Sequence, residues 1–274
     1  MLYNSVNFIQ SSQLSITDRG LAFGDGIFTT AKVSKGKIEH FDQHIQRLLL
    51  GCQRLSITDI NWQAVKDELV KASKSAHHID LATLKVIITA GNNKRGYSRV
   101  GIEQANVIVT VSAFPSHYSM WQDQGITLGL SRIKLGHNPQ LAGLKHLNRL
   151  EQVLVRNELD QLAVDEVVVT DLADDIIECN TANIFWCKDN VWYTPSLMMA
   201  GVNGIIREQI IANLLATNNE VEVVKAKVNE LQNSDAIFIC NSLLGIAPVK
   251  QFMTKSFAIE PVKKIQKLMH KEFD

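Results

Sequence analysis

A glutamate stands inside a run of residues that otherwise has the pattern of a buried strand. The run spans residues 176–186, and the acid is Glu178. Successive side chains of a strand point to opposite faces, so Glu178 shares a face with Ile176 and would be buried. A buried carboxylate needs a partner, and a protonated ring nitrogen would serve. Taken alone, the pattern more often describes an acid on a solvated strand face.

A lysine among apolar residues is the second constraint. Lys145 follows Gly143 and Leu144 and begins a helical pattern that predicts a helix over 145–162. Burial lowers the pKa of a lysine and turns its amine into a nucleophile or base. A pyridoxal phosphate enzyme needs a lysine for its Schiff base and a carboxylate for its pyridine nitrogen. On its own, an exposed lysine at a helix N-terminus is the more common case.

Two further segments could bind a phosphate group. Residues 201–207 read Gly-Val-Asn-Gly-Ile-Ile-Arg, and we predict that they open a helix over 204–216. Free backbone N–H groups at such a helix start bind phosphate well. Arg47, on the polar side of a helix predicted over 41–55, could add a fixed positive charge. An ordinary glycine-rich turn and a solvated arginine are the alternatives.

Strand and helix patterns occur in both halves of the chain, which indicates a mixed α/β fold. The length of 274 residues allows roughly two domains. The strand pattern stops at Pro115, which cannot donate to a sheet ladder. We therefore predict a smaller N-terminal domain over 1–113, a linker over 114–120 and a larger domain over 121–274.

Charge and composition exclude several classes of partner. Lys+Arg and Asp+Glu are equal at 28 each, which argues against a nucleic-acid partner or an anionic membrane surface. No apolar run approaches the length of a membrane span. His40 and His44 share a helix face, but no acidic third ligand is near, so we predict no metal site. A polar loop with Arg95 and Tyr97 could meet an anionic substrate.

Read together, these segments resemble the fold-type IV pyridoxal phosphate enzymes over nearly the whole chain. Matches in this order and spacing are far more specific than any single motif. The matching runs are 17–30, 44–48, 95–98, 143–150, 178–183, 201–207 and 240–243. The resemblance implies pyridoxal 5'-phosphate as cofactor. It also implies a two-lobed fold, with a small N-terminal α/β domain and a larger, β-rich C-terminal domain flanked by helices.

Site residues follow from the resemblance position by position. Lys145 matches the Schiff-base lysine, which also acts as general base, and Glu178 matches the acid on the pyridine nitrogen. The other cofactor contacts implied are the phosphate-side residues Arg47, Ile205, Ile206, Asn241 and Ser242. Thr29 is our candidate catalytic and substrate-binding residue, since Lys145 or a hydroxyl of Thr29 or Thr30 could deliver the proton to the leaving fragment. Arg95 and Tyr97 are our candidates for binding the substrate carboxylates.

The residues beside these positions favour the lyase branch of the family. D-amino-acid transaminases typically carry tyrosine and glutamate where this chain has Phe28 and Thr29, and branched-chain transaminases a tyrosine where it has Leu150. The resemblance therefore implies a homodimeric enzyme of folate biosynthesis, and the four widely spaced cysteines indicate a reducing, cytoplasmic compartment. It would convert 4-amino-4-deoxychorismate to p-aminobenzoate and pyruvate. An aminotransferase of the same fold, and a non-catalytic binding module, are the alternatives.

Overall fold

The computed structural model describes residues 1–93, 96–217 and 219–270. Within them the chain forms two compact units. The first comprises the described residues of Met1–Pro115 together with Lys145–Asn148, and the second comprises Ser116–Leu144 and the described residues from Arg149 onward. Each unit contains helices and a sheet of its own, so the predicted mixed α/β class is confirmed. The domain limits predicted from the sequence stay a prediction.

The first unit is an antiparallel sheet with two longer helices packed against it. Its strands are β1 (Tyr3–Val6), β2 (Ile9–Gln10), β3 (Gly26–Ser34), β4 (Lys37–Ile38), β5 (Leu81–Thr89) and β6 (Asn106–Ala113). Its helices are α1 (Arg19–Phe23), α2 (Phe41–Arg54) and α3 (Trp62–Lys74). The strand order is β2-β1-β6-β5-β3-β4.

Helix α2 brings its apolar stripe onto strand β3. Ile45, Leu48 and Cys52 are buried at helical spacing, as the sequence predicts. A Cβ at Gly51 would approach Ile27 Cδ1 to 2.8 Å, so glycine permits a close approach of helix and strand. This packing sets the buried face of α2, which includes His44, against β3.

The second unit is built on a nine-stranded mixed sheet. Its strands are β7 (Ile126–Leu130), β8 (Glu166–Thr170), β9 (Ile176–Cys179), β10 (Asn183–Lys188), β11 (Val191–Pro195), β12 (Val221–Val224), β13 (Ala236–Asn241), β14 (Gly245–Phe252) and β15 (Lys255–Ser256). Its helices are α4 (Tyr118–Gln124), α5 (Leu150–Leu159), α6 (Ile205–Ala216), α7 (Val228–Gln232) and α8 (Glu260–His270). The order is β12-β11-β10-β13-β14-β7-β8-β9, with β15 paired to β14.

The strand predicted over 176–186 is in fact two strands. The N–H of Cys179 donates a 2.7 Å hydrogen bond to the carbonyl of Ala182, which closes a turn between β9 and β10. Strand β9 then pairs with β8, whereas β10 pairs with β11 and β13. All four residues of β9 are buried, so Glu178 is buried as predicted, but alternation between faces does not decide it.

The helix predicted to begin at Lys145 begins instead at Leu150. The backbone before it is extended along β3. The N–H of Phe28 donates to the carbonyl of Lys145 at 2.9 Å, and the N–H of Leu147 donates to that of Gly26 at 3.0 Å. Lys145 therefore lies on a short segment hydrogen-bonded to a strand edge, where its backbone is fixed more firmly than at a fraying helix end.

Candidate active site

In the first unit, the side chain of Lys145 lies over an aromatic ring. Its ammonium nitrogen is 4.7 Å from the centroid of Phe28, the residue to which its backbone is hydrogen-bonded. The ammonium of Lys85, an exposed residue of β5, is 5.0 Å from the same ring. Cations are attracted to the negative face of an aromatic ring. Two amines thus share one ring, and the sequence gives no periodic signal that singles out Lys85.

Thr29 and Arg47, both predicted site residues, lie near a histidine that the sequence analysis did not place in the site. The hydroxyl of Thr29 is 2.6 Å from Nδ1 of His44. Both side chains are buried, at 1% and 2% exposure. Arg47 follows His44 by three residues on α2, so the two side chains lie on neighbouring positions of the helix surface.

The polar loop of the first unit is wrapped around a buried arginine. The guanidinium of Arg19 donates to the carbonyls of Gly96, Tyr97 and Ser98 at 3.0, 2.9 and 3.3 Å. The side chain of Tyr97 is 85% exposed, and its ring centroid is 5.3 Å from that of Phe23. The backbone that carries Tyr97 is therefore fixed. Arg95, the other predicted substrate contact, lies outside the described residues.

Glu178 of the second unit is buried and hydrogen-bonded to a backbone turn. Its side chain is 5% exposed, and Oε2 accepts the N–H of Val202 at 2.8 Å. The carbonyl of Val202 accepts a 2.8 Å hydrogen bond from Nδ2 of Asn183. Burial lowers the pKa of Arg149, whereas the nearby charge of Glu178 raises it. A guanidinium, which stays protonated in proteins, therefore lies close to the carboxylate.

The turn beside Glu178 depends on two glycines. Gly201 has φ = +86°, a conformation that L residues rarely adopt, and a Cβ there would approach Ile177 Cγ2 to 2.6 Å. Gly204 has ordinary torsion angles, but a Cβ there would lie 2.0 Å from Oδ1 of Asn183. Larger residues at either position would displace the turn from the strands that carry Glu178 and Asn183.

Helix α6 begins directly after this turn with open donors. Gly204 is its N-cap and supplies no side-chain acceptor. Within the part of the chain that the structure describes, the N–H groups of Ile205 and Ile206, in the first turn of the helix, have no protein acceptor. The positive end of the helix dipole adds to their attraction for an anion.

Asn241 and Ser242 lie where β13 ends. Oδ1 of Asn241 accepts the N–H groups of Leu243 and Leu244 at 2.9 and 2.8 Å, and its Nδ2 donates to the carbonyl of Thr181. The side-chain amide of Asn241 therefore stabilises the turn that contains it. The half-buried hydroxyl of Ser242 is the better donor for a ligand.

The polar groups of the second unit have the chemistry that pyridoxal phosphate needs. Glu178 is a buried acceptor for a protonated ring nitrogen, and the start of α6 is a cluster of N–H donors suited to a phosphate. Among the described residues, no group of three or more acidic, histidine or cysteine side chains could hold a metal ion. None of their helices combines the length and apolarity required to cross a membrane.

Comparison with known proteins places the chain in a family. Residues 26–252 match the amino-transferase class IV family, so the chain belongs to that family. It is 36% identical to aminodeoxychorismate lyase from Vibrio harveyi over 244 residues, 89% of each chain. It is 24% identical to a putative branched-chain-amino-acid aminotransferase from Methanocaldococcus jannaschii, over 96% of this chain and 91% of that one.

A solved structure gives the same result for the fold. The crystal structure of 4-amino-4-deoxychorismate lyase from Pseudomonas aeruginosa superposes with a TM-score of 0.92 at 31% sequence identity, covering 98% of both chains. The predicted family and the fold-type IV architecture are thereby confirmed. The lyase branch favoured by Phe28 and Thr29 is the branch to which these two relatives belong by name.

Proposed function

We propose that this protein is a pyridoxal phosphate-dependent lyase that converts 4-amino-4-deoxychorismate to p-aminobenzoate and pyruvate for folate synthesis. The observation that carries the proposal is similarity over nearly the full length to two proteins named as this lyase, at 36% and 31% identity. Such a reaction requires a carboxylate and an amine. The buried carboxylate of Glu178 and the amine of Lys145, which lies over the Phe28 ring, supply them.

Lys145 moves the proton in this proposal. Its amine removes the proton from C4 of the substrate as general base. The enolpyruvyl oxygen then leaves from C3, and the six-membered ring becomes aromatic as p-aminobenzoate. The enolpyruvyl fragment gains one proton at its terminal carbon and becomes pyruvate, so the atoms balance. The ring of Phe28 holds the amine near one position between these transfers.

The other predicted residues hold the cofactor. Glu178 keeps the proton on the pyridine nitrogen, and Val202 fixes the carboxylate by its N–H. Arg47, the N–H groups of Ile205 and Ile206, and Ser242 bind the phosphate. When bound, pyridoxal phosphate withdraws electrons from the carbon that loses its proton. Each of these roles rests on the resemblance and on the donor chemistry described above.

The two substrate carboxylates call for cationic or N–H groups. Lys85 is our first candidate, because its ammonium lies over the same ring as that of Lys145. Arg95 and Tyr97 remain candidates from the sequence. A homodimer, a cytoplasmic location and the predicted domain limits belong to the same proposal. Light scattering after size exclusion tests the dimer, and limited proteolysis tests the domain limits.

An aminotransferase is the second candidate, because the family is named for that activity and one relative is named as a branched-chain aminotransferase. The reaction products distinguish a lyase from an aminotransferase. A lyase releases p-aminobenzoate and pyruvate from aminodeoxychorismate without a keto-acid acceptor. An aminotransferase consumes an amino acid only when a keto acid is added. A preparation that does the second and not the first would replace our proposal.

A further inference from the structure

Arg207 is a buried cation in the first turn of helix α6, and it has no role in the site described above. Its side chain is 7% exposed. Nε donates to Oγ1 of Thr194 at 3.3 Å, Nη2 to the carbonyl of Pro195 at 2.9 Å and Nη1 to Oδ1 of Asn203 at 2.9 Å. These acceptors are neutral, whereas arginine is seldom buried without a charged partner. None of these contacts therefore neutralises the positive charge beside the start of α6.

The guanidinium of Arg207 joins the turn before α6 to a pair of strands. Thr194 belongs to β11, and its Oγ1 donates in turn to the carbonyl of Ile184 in β10 at 3.0 Å. Asn203 lies in the turn that precedes the helix. A guanidinium presents its donors in a rigid planar fork, so it can serve both segments at once. Arg207 thus fixes the turn relative to β10 and β11.

The turn that contains Asn203 carries groups proposed for the cofactor. The N–H of Val202 donates to Glu178, and helix α6 with its open N–H groups begins directly after the turn. The N–H of Asn203 donates to the carbonyl of Gly143 at 3.1 Å. Gly143 in turn shortly precedes Lys145 in the sequence. A rotation of the turn would therefore redirect the first N–H groups of α6.

An anion at the start of α6 would also compensate the charge of Arg207. The helix dipole disfavours a cation near the N-terminus and favours an anion there. Burial lowers the pKa of Arg207 and the nearby charge of the exposed Glu208 raises it, but a guanidinium stays protonated in proteins. A glutamine could bond to the same neutral acceptors without a buried charge. A ligand of opposite charge, such as a phosphate dianion, explains why this position holds an arginine.

We propose that Arg207 is a positioning residue for the cofactor phosphate: through Asn203 it fixes the turn that directs the first N–H groups of α6, and its charge strengthens the attraction of that helix end for an anion. The inference rests on the proposed function for the identity of the phosphate, which is that of pyridoxal phosphate. Loss of Arg207 should therefore weaken the binding of the phosphate and leave the binding of the pyridine ring nearly unchanged.

Pyridoxal, which lacks the phosphate, separates these two effects. The apoprotein is titrated with pyridoxal 5'-phosphate and with pyridoxal, and the visible absorbance of the lysine-bound compound is followed. We expect Arg207→Gln to raise the Kd for pyridoxal phosphate about thirtyfold and that for pyridoxal less than about threefold. Arg156→Gln, at an exposed position of α5, removes the same charge and should change neither Kd. Equal losses for the two compounds would overturn the proposal, because general damage to the fold affects both.

A double-mutant cycle tests whether Arg207 acts through Asn203. Asn203→Ala keeps the positive charge and should raise the Kd for pyridoxal phosphate about tenfold. The double variant should lose about thirtyfold, like Arg207→Gln alone, because both changes remove the same contact. Losses that multiply to about three-hundredfold would overturn the proposal. Arg207→Lys keeps the charge without the fork and should lose about tenfold. It carries the same comparison if Arg207→Gln does not fold.

The ³¹P resonance of the bound cofactor gives a second readout that does not depend on lyase activity. It should move in Asn203→Ala and in Arg207→Lys, because the N–H groups around the phosphate are redirected, and it should stay in place in Arg156→Gln. A resonance unchanged in all three variants would overturn the proposal. The expected pattern of Kd values and resonances, in a protein that releases no p-aminobenzoate, would contradict the proposed lyase function alone.

Discussion

The backbone N–H of Val202 donates a 2.8 Å hydrogen bond to Oε2 of Glu178. This bond ties a buried carboxylate to the turn that opens helix α6. The acid proposed for the pyridine nitrogen and the turn before the amides proposed for the phosphate are therefore directly hydrogen-bonded within the second unit. A substitution of Glu178 should therefore disturb the turn that opens α6, and a substitution in that turn should disturb the Glu178 carboxylate.

Substitution of Glu178 tests the charge separately from the hydrogen bond. Glu178→Gln keeps an oxygen for the N–H of Val202 but removes the negative charge. Loss of the charge beside the Arg149 guanidinium should lower the Tm, and we expect the folded protein to lose about a hundredfold in kcat. Glu178→Leu should lose activity and also about 1–3 kcal/mol of stability, because the Val202 N–H is left unpaired. Full activity in Glu178→Gln would refute the proposed role of the charge.

A methyl group added at Gly204 should distort the start of α6. Its Cβ would lie 2.0 Å from Oδ1 of Asn183, so we expect Gly204→Ala to lower the free energy of unfolding by about 1–3 kcal/mol. Added pyridoxal phosphate should stabilise this variant less than the wild type in urea titrations. Gly136→Ala is the control, because its Cβ meets only the end of the Glu151 side chain, at 3.3 Å. Equal behaviour of the two variants would contradict the steric argument.

Asp25 should make stability depend on pH at the acidic end. Burial alone would raise the pKa of this carboxyl, but hydrogen bonds and charge from Arg99 and Arg19 outweigh it and hold the pKa below the ordinary value of 3.8. A lowered folded-state pKa contributes stability above the unfolded value, and that contribution is lost as the pH falls through the folded value.

We therefore expect Asp25→Asn to be less stable than wild type by about 1–3 kcal/mol at pH 7, because the two arginines lose the negative charge and one of the two acceptor oxygens, and solvent around the partly exposed Arg99 weakens the effect. The difference should shrink below pH 3.8. Chemical unfolding at a series of pH values checks this. Asp67→Asn, at an exposed position of α3, should change little at any pH. A difference that grows on acidification would reverse the sign and contradict the assignment.

Lys85 should bind substrate without moving the proton. Lys85→Ala is expected to raise KM for aminodeoxychorismate about tenfold, the effect of losing one charge-assisted hydrogen bond, and to change kcat little. Lys37→Ala, at an exposed position of β4, removes the same charge from the same unit and serves as the control. A lower kcat with unchanged KM would show that Lys85 acts on Lys145 instead of on the substrate.

Much of the architecture could be predicted from local patterns. The helical spacing of Ile45, Leu48 and Cys52 predicts α2 to within one residue, and the glycines before Ile205 mark the start of α6. The break after Cys179 is not visible in the apolar pattern, which is the same on both sides of it. Only the turn-forming pair Asn180 and Thr181 hints at it.

The remaining features depend on contacts between residues distant in sequence. Lys145 is extended because its carbonyl accepts the N–H of Phe28, and helical periodicity after Leu150 says nothing about that bond. His44 is hydrogen-bonded to Thr29 across a helix–strand contact, which the sequence pattern does not show. Its spacing from His40 suggested only a pair of metal ligands. Lys85 is distinguished only by its position over the Phe28 ring, which it shares with Lys145. No local sequence pattern reveals that position.

The central claim is that Lys145 carries the lyase reaction, and one assay tests it most directly. Release of p-aminobenzoate and pyruvate from enzymatically generated aminodeoxychorismate is followed with no keto acid present. The wild type should release both products in equal amounts, and Lys145→Ala, folded to the same Tm, should release neither above the uncatalysed rate. A folded wild type that releases no p-aminobenzoate, or an equally active Lys145→Ala, would contradict the account.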